Sequence, residues 1–246
     1  MRVVLHRVLM APTPDSVSSE KTYPAPAVCV DSKGRDTPFT PVQTSGPFYP
    51  LHMSHEDVDN DLTITHRGAP RALGQVIYIR GRVTDHAGRP VAGARIEVWQ
   101  ACASGKYNHP GDDNPLPLDP NFKYFGRASS DEHGRYVFKS VKPSAYAPSP
   151  EGEYGYLAKD PAEVRPAHVH FKVYKDGYKT LITQMYFEGD PFLKTDRIVQ
   201  ALAPEKRGLV IIAAEWPQPQ DEPASHSYAF NIVMEQQDMP DGAAGA

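Results

Sequence analysis

Cysteine is scarce: the 246-residue chain has two, Cys29 and Cys102. They form neither a disulfide framework nor a CxxC motif, and they read as reduced thiols in a cytoplasmic protein. An excess of charge of one sign is missing as well. The 26 Lys and Arg stand against 30 Asp and Glu, a formal net charge of −4 with no like-charge blocks. That balance excludes a nucleic-acid footprint. No apolar run reaches membrane-spanning length. The opening MRVVLHRVLMAP is broken by Arg2, His6 and Arg7 and lacks an A-x-A cleavage pattern, so no signal peptide is read. GxGxxG, P-loop, HExxH and GxSxG motifs are all absent.

Proline, in contrast, is abundant. The 25 prolines are about twice the usual share and favour turns over long helices. Residues 1–70 keep neither helical nor strand periodicity and read as an extended Pro-rich arm that wraps a surface or a partner subunit. Residues 236–246 read as a disordered tail. Between them, residues 71–235 form one domain with a strong β signal. VIYIRGRVTD and ARIEVWQA alternate and are rich in β-branched and aromatic residues, with the turn-bearing HAGRPVAG between them. GRYVFKSV, HVHFKVY, TLITQMYF, GLVIIAAEW and HSYAFNIVME continue the series. The fold class is therefore all-β, an antiparallel-rich sandwich. TDRIVQAL is the longest helix candidate, about two turns. Two long loops interrupt the strands, YNHPGDDNPLPLDPNFKYFG and KPSAYAPSPEGEYGYLAKDPAEV; loops of that length are usually functional.

Candidate chemistry is unevenly distributed. Asp57, Asp59 and Asp61 have EF-hand spacing, but Leu62 and Gly68 occupy the positions of the loop's glycine and glutamate. This segment reads as a solvated acidic loop. Cys102 follows a strand outside any cysteine-enzyme context and reads as a small buried hydrophobe. RPAHVHF is different, because His168 and His170 lie two apart and so share one face of a strand. Two imidazoles cannot complete a metal site, and the two loops offer Tyr107, Tyr124, Tyr146, Tyr154 and Tyr156. A phenol with a pKa near 10 suits zinc or magnesium poorly. Ferric iron can take its proton: two phenolates and a hydroxide neutralise Fe(III), and two neutral imidazoles complete five ligands.

GKYNH, LDPNF, GRASSDEHGRYVF, KPSAY, RPAHVHF and LITQMYFEGDP occur in order over residues 74–192. Together they resemble the successive motifs of the intradiol ring-cleavage dioxygenases, most closely the iron-binding chain of the protocatechuate type. TPVQTSGPFYP in the arm adds weaker support.

The resemblance implies Fe(III) held by Tyr107, Tyr146, His168 and His170. Tyr146 matches the tyrosine that leaves the iron when substrate binds, and Tyr107 the one that stays. Tyr154 and Tyr156 are alternatives to Tyr146, disfavoured by its KP-x-x-Y context. Arg165 matches the arginine that stabilises negative charge on the substrate ring, and Gln184 the glutamine that lines and orients the site. Arg165 could instead pair with Glu163 or Asp160 at the surface, and His109 reads as a residue behind the ligands or an exposed one.

The implied reaction uses a catechol and O2. The substrate loses both protons, to bound hydroxide and to the Tyr146 phenolate. Oxygen then inserts between the hydroxyl-bearing carbons, and hydrolysis of a cyclic anhydride gives a cis,cis-muconate. Ala147 and Pro148 after Tyr146, with the longer loop that follows, depart from the protocatechuate pattern. The expected substrate is protocatechuate or another substituted catechol, such as catechol or hydroxyquinol. The expected assembly is a homo-oligomer, with a related second chain also compatible. The rival reading is a prealbumin-like β-sandwich binding module without catalysis, which leaves the tyrosines, histidines and Arg165 unexplained.

Overall fold

The molecule is represented by a computed structural model that describes residues 37–51, 59–147 and 164–237. The expectations for Cys29, Asp57, Tyr154, Tyr156, Asp160, Glu163 and the tail beyond residue 237 fall outside those residues.

Strand β1 (Val76–Asp85) is buried along most of its length, because it is paired on both edges. It runs antiparallel to β4 (Arg135–Val141) on one side. On the other it runs parallel to β9 (His226–Ala229) and then to β10 (Ile232–Met234). The short β8 (Ala214–Glu215) closes this sheet against β9. The second sheet has the order β3-β2-β5-β6-β7. Its strands are β2 (Arg95–Trp99), β3 (Phe125–Ser129), β5 (His168–Tyr174), β6 (Leu181–Phe187) and β7 (Ile211–Ile212). Its long ladders are antiparallel, and β6–β7 is parallel. The fold is all-β, in two mixed sheets.

Alternation decides which face of each strand meets the core. Ile77, Ile79 and Val83 of β1 and Phe138 of β4 meet Ile96 and Val98 of β2 and Val169, Phe171 and Val173 of β5. Phe171 packs edge-on against Phe138 at 6.3 Å and against Phe230 at 4.9 Å. His168 and His170 therefore project from the opposite face of the second sheet.

Three local expectations are corrected. TDRIVQAL forms one turn of helix, α1 (Arg197–Gln200), rather than two. Pro204 holds Ala203 at ψ 135, so the chain leaves helical geometry and restarts as α2 (Pro204–Arg207). GLVIIAAEW forms two two-residue strands in different sheets, since Ile211 pairs with Tyr186 and Ala214 with Tyr228. Finally, the loop at Asp59–Asp61 is not solvated throughout. Asp61 is 1% exposed and accepts from the Thr63 amide and hydroxyl. Its neighbours Asn60 and Leu62 bond to the Lys139 backbone of β4.

Candidate metal centre

On β5, His168 and His170 stand on the outer face of the sheet, yet each is 2% exposed. Neighbouring strands and three connecting segments roof them over. In the strand register Trp99 of β2 and Gln184 of β6 flank His170, and Tyr186 flanks His168. Trp99 lies flat on the His170 ring, with centroids 4.7 Å apart and planes 5° apart. Tyr107 comes from the first long loop and Tyr146 from the second, and both are buried. Their rings meet edge-to-face at 5.5 Å, and Tyr146 lies 5.8 Å from His168.

The arm supplies the outer wall. The Gln43 backbone amide donates to the carbonyl of Ile182 in β6, and residues 43–49 run from there across the sheet face. Phe48 packs on Tyr107 at 4.9 Å, and Tyr49 stands edge-on to Trp99 at 4.9 Å. Gly46, at φ +65, passes close enough that a Cβ would lie 3.4 Å from His170 Cε1.

Hydrogen bonding assigns the proton on His168. Its Nδ1 lies 2.8 Å from the Pro166 carbonyl, which can only accept, so Nδ1 carries the hydrogen. In a neutral ring Nε2 is then a lone pair. That lone pair faces the Tyr107 hydroxyl at 3.2 Å and His170 Nε2 at 3.1 Å. His170 Nδ1 has no hydrogen-bond partner among the described residues. Burial, then the Arg165 charge, holds both imidazoles well below the usual histidine range, with His170 adding to the effect on His168. Burial raises both phenols: Tyr107 well up, with Tyr146 adding, and Tyr146 less, opposed by Arg165.

These donors fit a hard, highly charged metal ion. A metal–nitrogen bond is about 2.1 Å, so two donors sharing one ion lie about 3 Å apart, as the two Nε2 atoms do. Among the described residues no three His, Cys, Asp or Glu gather, so a metal held here would draw on the phenols. Their raised pKa values mean that metal entry must release protons.

Arg165 borders the cluster. Its backbone pairs with Tyr146 in both directions, at 3.1 and 2.8 Å. Its guanidinium donates from Nε to Asp196 Oδ2 at 2.5 Å and from Nη2 to Gln184 Oε1 at 2.8 Å. This ion pair gives Arg165 a buried carboxylate partner, while the alternative partners Glu163 and Asp160 lie outside the described residues. The Gln184 amide is fixed by the arm, since its Nε2 donates to the Thr44 carbonyl at 2.8 Å. Tyr186 donates to Gln184 Oε1 at 3.0 Å. His109 lies beyond Phe48, 5.6 Å from its ring, and accepts the Gly111 amide. Cys102 is buried against Ser104.

Sequence reading brought the two histidines, Tyr107, Tyr146, Arg165 and Gln184 together, and the structure places all six in one cluster. It missed Trp99, Tyr186, Phe48, Asp112 and Asp196. Asp112 accepts the Tyr107 amide at 2.6 Å. Only Asp196 left a local signal, as the capping residue before RIVQ.

Fold and cluster together define a β-sandwich that carries two buried tyrosines, two histidines and an arginine on one sheet face. Residues 45–236 match the family described as Dioxygenase. The protocatechuate 3,4-dioxygenase beta chain of Burkholderia cepacia is 37% identical over 227 residues, 92% of this chain and 89% of that one. The chain belongs to the intradiol ring-cleavage dioxygenases, a family of enzymes. Catechol 1,2-dioxygenase of Candida albicans is 37% identical over 49% of this chain, and the match spans only 39% of that protein's length. The structure of catechol 1,2-dioxygenase from Pseudomonas arvilla C-1 superposes with a TM-score of 0.63 and 26% identity, covering 84% of this chain and 65% of that one. Among the described residues no helix is long and apolar enough to cross a membrane.

Proposed function

We propose that the chain is a non-haem Fe(III) enzyme that cleaves a catechol with O2 between its two hydroxyl-bearing carbons, giving a cis,cis-muconate. The observation that carries this reading is that His168 Nε2 lies 3.2 Å from the Tyr107 hydroxyl and 3.1 Å from His170 Nε2, with Tyr146 alongside. Tyr107, Tyr146, His168 and His170 would hold the ion. Bound there, ferric iron would act as a Lewis acid toward the catechol and make its ring reactive toward O2.

The protein residues supply the rest. Tyr107 is anchored through its amide on Asp112 and its ring on Phe48, which suits the ligand that stays. Tyr146 Oη takes one catechol proton, and the neighbouring Arg165 helps it to be a phenolate before then. The Arg165 guanidinium, largely buried beside the cluster, stabilises negative charge on the ring oxygen as the substrate takes its keto form. Gln184 holds that guanidinium from the next strand and lines the substrate side.

The substrate best supported is protocatechuate or another substituted catechol, because the relative matched over nearly its full length is named for protocatechuate. We place residues 71–235 as the catalytic domain, 1–70 as its arm and 236–246 as its tail. The protein is cytoplasmic and homo-oligomeric in this reading, and a related second chain remains compatible.

Tyrosinate bound to Fe(III) absorbs visible light. Iron-loaded protein should be red-brown, with a broad band that shifts when a catechol is added. Tyr146→Phe should alter the band and slow substrate binding. Protein that stays colourless and iron-free after anaerobic reconstitution with iron would overturn the reading.

A further inference from the structure

Two aspartates six residues apart, in a segment to which sequence reading gave no catalytic role, grip the chain entering β5. Asp190 uses one oxygen to cap the 3-10 turn Pro191–Lys194, accepting from the Phe192 amide at 2.9 Å. Its other oxygen accepts the Ala167 amide at 2.9 Å. Asp196 repeats the arrangement. Oδ1 caps α1 by accepting from the Val199 amide at 2.8 Å, and Oδ2 accepts from Arg165 Nε. The Asp196 side chain is fully buried, and that of Arg165 is 18% exposed. A cap alone does not need a carboxylate, since Asn and Ser serve comparably. What the carboxylate adds is a second acceptor, and that acceptor is on the arginine.

We infer that Asp190–Asp196 is a brace for the Arg165–Ala167 segment, and that Asp196 is the positioning residue that sets the plane of the Arg165 guanidinium toward the substrate. A guanidinium is a rigid planar fork. Holding Nε on Asp196 and Nη2 on Gln184 therefore fixes its remaining freedom. Asp196 touches no reacting atom and acts through Arg165. The inference rests on the proposed function for its kinetic consequence, but the positioning itself can be read without iron.

Asp196→Asn is the informative variant. Both partners of Asp196 are donors, and an amide has one acceptor oxygen, so Asn can serve the helix or the arginine but not both. In metal-free protein the Arg165 Nε–H resonance, assigned by its loss in Arg165→Lys, should exchange slowly with solvent. In Asp196→Asn it should shift and exchange about ten-fold faster or more, as expected of a lost charge-assisted bond. In iron-loaded enzyme, kcat should fall roughly 10- to 100-fold with KM changed less than about three-fold, the scale of a misplaced catalytic group. Combining Asp196→Asn with Arg165→Lys should cost no more than Arg165→Lys alone. An unchanged Nε–H resonance, or losses that multiply in the double variant, would overturn the inference. Should Asn prevent folding, Asp196→Ser keeps a capping oxygen and gives the same spectral reading. Enzyme inactive on every catechol would count against the proposed function and leave the spectral result to decide the brace.

Discussion

Among the described residues, His170 is held by shape rather than by hydrogen bonding through Nδ1. Trp99 covers one face, and Gly46 crosses beside Cε1 at a φ that side chains rarely adopt. Gly46→Ala should therefore lower stability by about 1 kcal/mol from the left-handed backbone alone. It should also press on His170 and weaken iron retention, measurable as iron content after dialysis. The histidine pair was legible because a spacing of two fixes a shared face. Tyr107, Tyr146 and Gln184 were legible only through motifs, since nothing local tells which tyrosine reaches β5. The partner of Arg165 was not legible. The carboxylates near it in sequence were Glu163 and Asp160, whereas Asp196 lies 31 residues on and arrives through the capped turn after β6. Trp99 was hidden for a similar reason. Its contact with His170 exists only in the β2–β5 register.

At the level of elements, β1 depends on a close approach at Gly81. Between β9 and β10 the chain steps outward at Phe230, whose amide bonds to the Arg80 carbonyl at 2.8 Å. Its carbonyl accepts the Tyr136 hydroxyl at 2.6 Å. A Cβ at Gly81 would lie 1.9 Å from that carbonyl oxygen. Gly81→Ala should thus destabilise by about 3 kcal/mol, the upper range of overpacking, readable as a lower urea midpoint. The long strands were legible from alternation, because each buries one patterned face. The division of HSYAFNIVME into β9 and β10 was not. Both halves pair with the same strand, and the step between them is set by Gly81 and Tyr136, which lie far away in sequence. GLVIIAAEW misled for a related reason, as its apolar run serves two sheets rather than one strand.

Across the whole molecule, Glu222 ties together three distant segments, pairing with Arg71 and with Lys139 of β4, both at 2.5 Å. Burial pushes its carboxyl up, but the bonds from Arg71 and Lys139 outweigh that and leave it below its ordinary value. A depressed carboxyl stabilises the fold fully above its unfolded pKa, and that stabilisation is lost as pH falls through the folded one. Glu222→Gln should accordingly melt below wild type at neutral pH, with the gap closing as pH falls through and below the ordinary carboxylate range. A gap that stays constant across that range would contradict the assignment. The arm matters at this scale too: residues 43–49 wall the cluster and fix Gln184, so the sandwich without them has an open site. The most direct test of the function is oxygen uptake by iron-loaded protein against a panel of catechols, with product spectra. We expect one O2 consumed per catechol and a cis,cis-muconate, fastest with protocatechuate or another substituted catechol. Absence of uptake with every catechol, or a product cleaved outside the two hydroxyl-bearing carbons, would contradict the account.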